Sequence, residues 1–167
     1  MAAQAGVRFL VIGGHAVIEH GFQRGTEDAD ILVSQEDRRV WQELVLSLGY
    51  HLLRDGGTFL QFESADPAEW DLDLMLVPGG AFERLLAAAQ SAQLEGAAVV
   101  VPSLEHLIAL KVHALKNTTG LRALKDLTDV AQLLAANGVD PQAPWVRAVF
   151  EKYGNMEIHE QIRKLLT

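Results

Sequence analysis

The chain contains no cysteine. That absence excludes a disulfide framework, a thiolate metal site and a cysteine nucleophile, and it fits a cytoplasmic protein. Long hydrophobic runs are missing too. The longest, around Leu72–Met75 and Ala97–Val101, fall far short of the ~20 residues that a membrane-spanning helix needs. The opening Met1-Ala-Ala-Gln-Ala-Gly6 lacks the charged start and apolar core of a signal peptide. Basic charge is scarce: 14 Lys and Arg stand against 22 Asp and Glu, for a formal charge of -8. This argues against a large nonspecific nucleic-acid surface, which depends on clustered cations, while leaving room for a small basic pocket. No internal repeat or low-complexity segment occurs.

What is present fits an ordinary compact protein of 167 residues, 49% hydrophobic and 22% charged. Periodicity predicts strands near Val7–Ile12, Asp28–Val33, His51–Arg54, Thr58–Glu63, Trp70–Val77 and Ala97–Val101. It predicts helices near His15–His20, Glu36–Leu48, Ala81–Gln93, Leu104–Asn117 and Leu121–Ala136, with two short ones after Pro144. Ser34 with Asp37 reads as a capping pair for the second helix, and Ser103 reads as the N-cap of the fourth. Asp55-Gly56-Gly57 between two strand-like runs reads as a hairpin turn, which makes the sheet at least partly antiparallel. The expected class is α+β: a mixed β-sheet core over residues 1–102, with residues 103–167 as a helical C-terminal part of the same unit.

Two motifs carry chemistry. Phe9-Leu10-Val11-Ile12 runs into Gly13-Gly14, where a strand hands over to a helix and backbone N–H groups can face an anion. Then comes Thr26-Glu27-Asp28-Ala29-Asp30-Ile31, in which a period of two sends Asp28 and Asp30 to one face and Ala29 and Ile31 to the other. Taken alone, a diglycine is most often a turn, and an Asp-x-Asp is most often a solvated face. A third element, Trp70-Asp71-Leu72-Asp73-Leu74, repeats the arrangement, with Asp71 and Asp73 sharing a face. If the two acidic strands are neighbours, three or four carboxylates converge and repel unless cations compensate. Magnesium suits such oxygen ligands and accepts substrate phosphates beside them.

In combination, Gly13-Gly14-x-Ala16, Gly21, Arg24, Thr26, Asp28-x-Asp30 and a later strand aspartate resemble the signature of the DNA polymerase β-like nucleotidyltransferase superfamily. The closer resemblance is to its small bacterial branch, which includes the AbiEii-type toxin nucleotidyltransferases. Leu107-Ile108-Ala109-Leu110-Lys111 and Arg122-x-x-Lys125-Asp126-x-x-Asp129 look like helical motifs of that branch, so the likeness spans roughly residues 7–134.

The resemblance implies a metal-dependent transfer of a nucleoside monophosphate from an NTP to an acceptor, with release of pyrophosphate. It implies that Gly13 and Gly14 cradle the triphosphate, with Lys111 approaching it and Asp126 lining the site. Asp28, Asp30 and Asp73 would hold two Mg²⁺ ions, for which Mn²⁺ could substitute, and Asp73 would also help to activate the acceptor hydroxyl. Asp71 competes with Asp73 for the third position. The acceptor could be a small molecule, a protein or tRNA. The alternative is a non-catalytic nucleotide-binding or toxin–antitoxin partner protein of the same fold.

Several residues carry a plainer reading beside this one. Lys111 lies on a mostly apolar stripe, so it either snorkels to water or meets an anion. Arg122 with Asp126 and Lys125 with Asp129 are spaced for local helical ion pairs. Arg24 and Thr26 either touch substrate or fix their loop, the structural role being favoured for Thr26. The histidine pairs His15/His20 and His106/His113 lack the four-residue spacing of a helical metal pair.

Overall fold

The computed structural model describes residues 6–166, so the reading of Met1–Ala5 lies outside the described residues. The elements run β1 (Leu10–Val11), α1 (Gly13–Glu19), β2 (Asp28–Ser34), a 3₁₀ turn (Gln35–Asp37), α2 (Arg38–Ser47), β3 (Tyr50–Asp55), β4 (Phe59–Ser64) and β5 (Asp71–Val77). They continue with α3 (Gly79–Ala87), β6 (Gln90–Leu94), β7 (Ala97–Val101), α4 (Leu104–Leu115), α5 (Gly120–Ala136), α6 (Pro144–Tyr153) and α7 (Met156–Leu165). The class is α+β, as expected. The chain divides into two compact units: one ends at Ala16 and resumes over Arg24–Pro102, and the other holds Val17–Gln23 and the residues from Ser103 onward. Among the described residues no helix is long and apolar enough to cross a membrane.

The first unit is built on a mixed sheet with strand order β1-β2-β5-β4-β3, in which only β2 and β5 run parallel. The hairpin between β3 and β4 forms where expected: Gly57 takes a left-handed φ of 80° and donates its N–H to Asp55 Oδ1 at 3.0 Å. Alternation then sorts the faces. Leu60, Phe62, Leu74 and Leu76 point into the core with Ile31 and Val33, where Trp41 and Val45 of α2 and Phe82 of α3 are also buried. Full burial of each such side chain contributes about 1.5–3 kcal/mol.

Ser34 does not cap α2 with Asp37; neither makes a side-chain capping bond. Its hydroxyl instead donates to Glu36, whose carboxylate also accepts the Gly79 N–H at 3.2 Å and so ties the end of β2 to the start of α3.

Two other expectations are corrected. The first strand is only Leu10–Val11, the two residues whose backbone pairs with Leu32 and Ile31 of β2. The helix expected over Ala81–Gln93 stops at Ala87, and Gln90–Leu94 is a strand paired antiparallel with β7. Glu95 and Gly96 both have left-handed φ, 48° and 80°, the backbone that a two-residue hairpin requires.

The second unit is helical. Ser103 accepts the His106 N–H at 3.4 Å and caps α4 as expected. Helix α4 packs on α5 and α6, while α7 packs on α5 and α6. Leu107, Ile108, Val112, Leu133, Leu134, Phe150 and Ile162 form its core. Asn137 Nδ2 donates to His20 O at 2.9 Å, which anchors the 17–23 segment to the end of α5. At Gly154, which follows α6, a Cβ would press on Val112, so the chain turns there only with glycine.

Because a glutamate holds a left-handed φ at position 95, Glu95→Asn is expected to stabilise the fold by about 0.5–1 kcal/mol. Urea unfolding of the two proteins measures the difference.

Candidate active site

Parallel pairing of β2 with β5 sets Asp28 opposite Asp71 and Asp30 opposite Asp73. Register partners share a face, so the four carboxylates lie on one side of the two paired strands. Asp28 and Asp71 are exposed, whereas Asp30 and Asp73 are half-buried.

The two candidates for the third position now differ in their surroundings. Asp71 accepts the Ser64 N–H at 3.0 Å and so serves the edge of the neighbouring strand. Asp73 lies beside Asp30 and accepts from Gln61 Nε2, at 3.3 Å to Oδ1 and 3.2 Å to Oδ2. Gln61 is also the register partner of Asp73 on β4. Sequence reading passed over Gln61, because a single polar residue on an alternating strand looks like an ordinary solvent-facing position.

The diglycine closes over this face. Gly13 has a left-handed φ of 59°, and a Cβ on it would fall on the Asp30 carboxylate. Glycine is therefore needed twice here, for the backbone angle and for the close approach. Gly14 is buried, and a Cβ on it would fall against the Thr26 side chain and come within 3.0 Å of Arg24 Nη1. Thr26 donates to Asp28 O at 3.3 Å, and Arg24 donates to Gly25 O at 2.8 Å, so both shape the loop that leads into β2.

His15 is 9% exposed, its ring centroid lies 4.4 Å from that of Trp70, and its Nε2 is buried with no hydrogen-bond partner. Burial pushes its pKa below 6.5; Glu95 acts against this and Arg24 adds to it.

Lys111 and Asp126 belong to the other unit. Lys111 Nζ lies 2.8 Å from Asp126 Oδ1 and 2.7 Å from Asp129 Oδ2, with the lysine and Asp129 side chains only 10% and 1% exposed. The lysine thus meets anions from the next helix, and both aspartates turn to it rather than to the local partners Arg122 and Lys125 that helical spacing suggested.

The donor set on the carboxylate face is oxygen only, which suits a hard cation. Among the described residues no group of three or more His, Asp or Glu side chains is drawn together tightly enough to hold a metal ion. The face offers the facing pair Asp30 and Asp73, with Asp28 two positions along its strand. Magnesium commonly takes one or two carboxylates and fills its shell with water and substrate phosphate, so this pair fits it.

The fold is that of a nucleotidyltransferase. The profile of the family described as "Uncharacterised nucleotidyltransferase" matches residues 3–166, and the chain belongs to that family. No curated protein matches it by sequence.

Solved structures share the fold at low identity. ANT(2″)-Ia in complex with adenylyl-2″-tobramycin is 15% identical with a TM-score of 0.62, over 99% of this chain and 92% of that one. An antigenic nucleotidyltransferase-like protein from Paracoccidioides brasiliensis is 15% identical with a TM-score of 0.56, over 99% and 86%. MenT4, a nucleotidyltransferase toxin from Mycobacterium tuberculosis H37Rv, is 15% identical with a TM-score of 0.54, over 96% and 74%.

Two expectations follow from the buried ionisable groups. Lys111→Met leaves two carboxylates without their cation and should cost about 3–5 kcal/mol in urea unfolding. A His15 pKa lower in the folded than in the unfolded chain means that the unfolded chain binds the extra proton first, so stability is full above pH 6.5 and falls as pH drops toward the folded pKa. Unfolding at pH 7.5 and 5 should show a smaller loss for His15→Gln than for the unmodified chain.

Proposed function

We propose that the chain transfers a nucleoside monophosphate from an NTP to an oxygen or nitrogen nucleophile of an acceptor and releases pyrophosphate. The observation that carries this reading is the facing pair Asp30 and Asp73, with Gly13 closed over Asp30. In the reaction a bond forms between the acceptor atom and the α-phosphorus, and the bond from that phosphorus to the bridging oxygen of the pyrophosphate breaks. Asp30 and Asp73 would hold magnesium, with water and substrate phosphate completing its shell and Asp28 two positions along the strand, and when bound it would supply positive charge at the reacting phosphoryl group.

The remaining work belongs to the chain. Gly13 and Gly14 present backbone N–H groups to the phosphates without a side chain in the way. The Arg24 guanidinium, close above Gly14, adds positive charge to an otherwise acidic face. Asp73 accepts the proton of the acceptor nucleophile as it attacks. Thr26 holds the entry to β2 through its bond to Asp28 O. Lys111 and Asp126, which by the resemblance would serve the triphosphate, pair with each other, and that ion pair gives both a structural part as well. Catalysis of this kind is mainly positioning and charge stabilisation.

Two structures of the same fold are named for their products or substrates: ANT(2″)-Ia is bound to an adenylylated tobramycin, and LnuA is a lincosamide antibiotic adenylyltransferase with lincomycin bound. They support ATP as the first donor to try and a small hydroxylated molecule as the first acceptor class. MenT4 is a toxin, which supports including protein and tRNA acceptors and a cognate antitoxin.

The test is incubation with α-labelled NTPs, Mg²⁺ and a cell extract, followed by identification of the labelled species. Asp30→Asn, which removes one anionic ligand at constant volume, should abolish labelling while leaving the melting temperature nearly unchanged. Full turnover in that variant would overturn the assignment. Absence of both labelling and NTP-dependent thermal stabilisation in the unmodified chain would point to the non-catalytic partner protein instead.

A further inference from the structure

We infer that Trp70 is the surface on which the nucleobase of the NTP stacks, with His15 as the ring behind it, an inference that rests on the reading of the carboxylate face as a nucleotide site. Strand directions bring three segments to one end of that face. Because β2 and β5 run parallel, the Arg24–Thr26 loop ahead of the first and Trp70 ahead of the second stand at the same end. The diglycine falls there too, because β1 runs antiparallel to β2 and exits into Gly13 and Gly14 where β2 begins. His15, the first residue after the diglycine, completes the group, with its ring centroid 4.4 Å from that of Trp70.

The indole is placed as a support and not as core. It is half-buried, so part of the ring meets water, whereas Trp41 of the same unit is 4% exposed. Its backbone is pinned, because the Tyr50 hydroxyl donates to Trp70 O at 3.1 Å and ties the start of β5 to β3. Its inner side rests on the buried His15, the two rings being inclined at 48°. The imidazole Nε2 is buried with no hydrogen-bond partner, so His15 meets the indole as a ring and not through a hydrogen bond. A flat group held from behind and by its own backbone has little freedom left to lose when a second ring settles on it.

Position selects the nucleobase as the occupant. Trp70 lies three residues from Asp73, about 10 Å of strand, which an NTP spans from its α-phosphorus across the ribose to the base. Other rings of this unit are engaged or covered: Phe9 packs on Trp41, Phe62 and Phe82 are buried, and Phe59 carries the Arg54 guanidinium over its face. Stacking requires only a π-face, which every base has, and a purine offers more of it than a pyrimidine.

The experiment compares the full chain with Trp70→Leu, which keeps an apolar cover over His15 but has no π-face, and with Trp70→Phe, which keeps a smaller ring. Two probes are titrated by calorimetry with Mg²⁺ present: α,β-methylene-ATP, which is not cleaved at the reacting bond, and inorganic tripolyphosphate, which carries phosphates without a base. Trp70→Leu should bind α,β-methylene-ATP about tenfold more weakly, the scale of one lost base–aromatic stack, and tripolyphosphate within about twofold of the unmodified chain. Trp70→Phe should fall between the two for the nucleotide. In parallel, α,β-methylene-ATP should quench a share of the tryptophan emission that Trp70→Phe lacks, the remainder coming from Trp41 and Trp145.

An unmodified chain that binds neither probe overturns the nucleotide-site reading and this inference together. If the unmodified chain binds the nucleotide and Trp70→Leu matches it, the role of Trp70 alone is overturned. An equal loss for both probes in Trp70→Leu overturns it as well, because a general disturbance of the site would then account for the change. Should the leucine variant fail to fold, Trp70→Phe decides: quenching by α,β-methylene-ATP as strong as in the unmodified chain would refute the stack.

Discussion

The carboxylate face depends on the parallel pairing of β2 with β5. Of the pairings in the main sheet it is the only parallel one, and it joins strands that are far apart in sequence. Its register puts like charges side by side, which no isolated pair of strands would choose. The cost is met by the apolar side of the same strands: Ile31, Val33, Leu74 and Leu76 are buried directly behind the acids. Hydrophobic burial on one face thus holds in place an electrostatic arrangement that the other face alone would drive apart. That division of labour works because strand side chains alternate, so one backbone can serve both demands.

Around this pairing the remaining elements act as constraints on single side chains. Gly13 limits Asp30 from above, Gln61 holds Asp73 from the side, and Thr26 fixes the strand through the Asp28 carbonyl. Each uses a different physical device: the absence of a Cβ, a neutral donor and a side-chain-to-backbone bond. In the helical unit the same economy appears in another form, where one lysine of α4 joins two aspartates of α5 within a buried cluster.

Much of this was legible in the sequence. Alternation announced the acids and the face they share, the diglycine marked the strand-to-helix turn, and Asp55-Gly56-Gly57 marked a hairpin. The motif combination named the superfamily correctly. What escaped has a common cause: it depended on partners distant in the chain. Gln90–Leu94 has no helical breaker before it and few β-branched residues, so only its pairing with Ala97–Val101 makes it a strand. Asp126 and Asp129 had local cations at good spacing, and only the packing of α4 on α5 offers them Lys111 instead. Gln61 drew no notice because its meaning comes wholly from β5 beside it. Ser34 was read by its local motif, and Glu36 reached it first.

The order of strands in the sheet has a kinetic side. The β3–β4 hairpin and the antiparallel addition of β5 join near neighbours in sequence, and such contacts close cheaply and early. The pairing of β2 with β5 must instead close a loop that contains α2, β3 and β4, so its entropy is spent before its contacts repay it. Asp30 and Asp73 therefore meet only when that longer loop closes. The pair is a product of the sheet's long-range seam, and no short stretch of the chain holds it by itself.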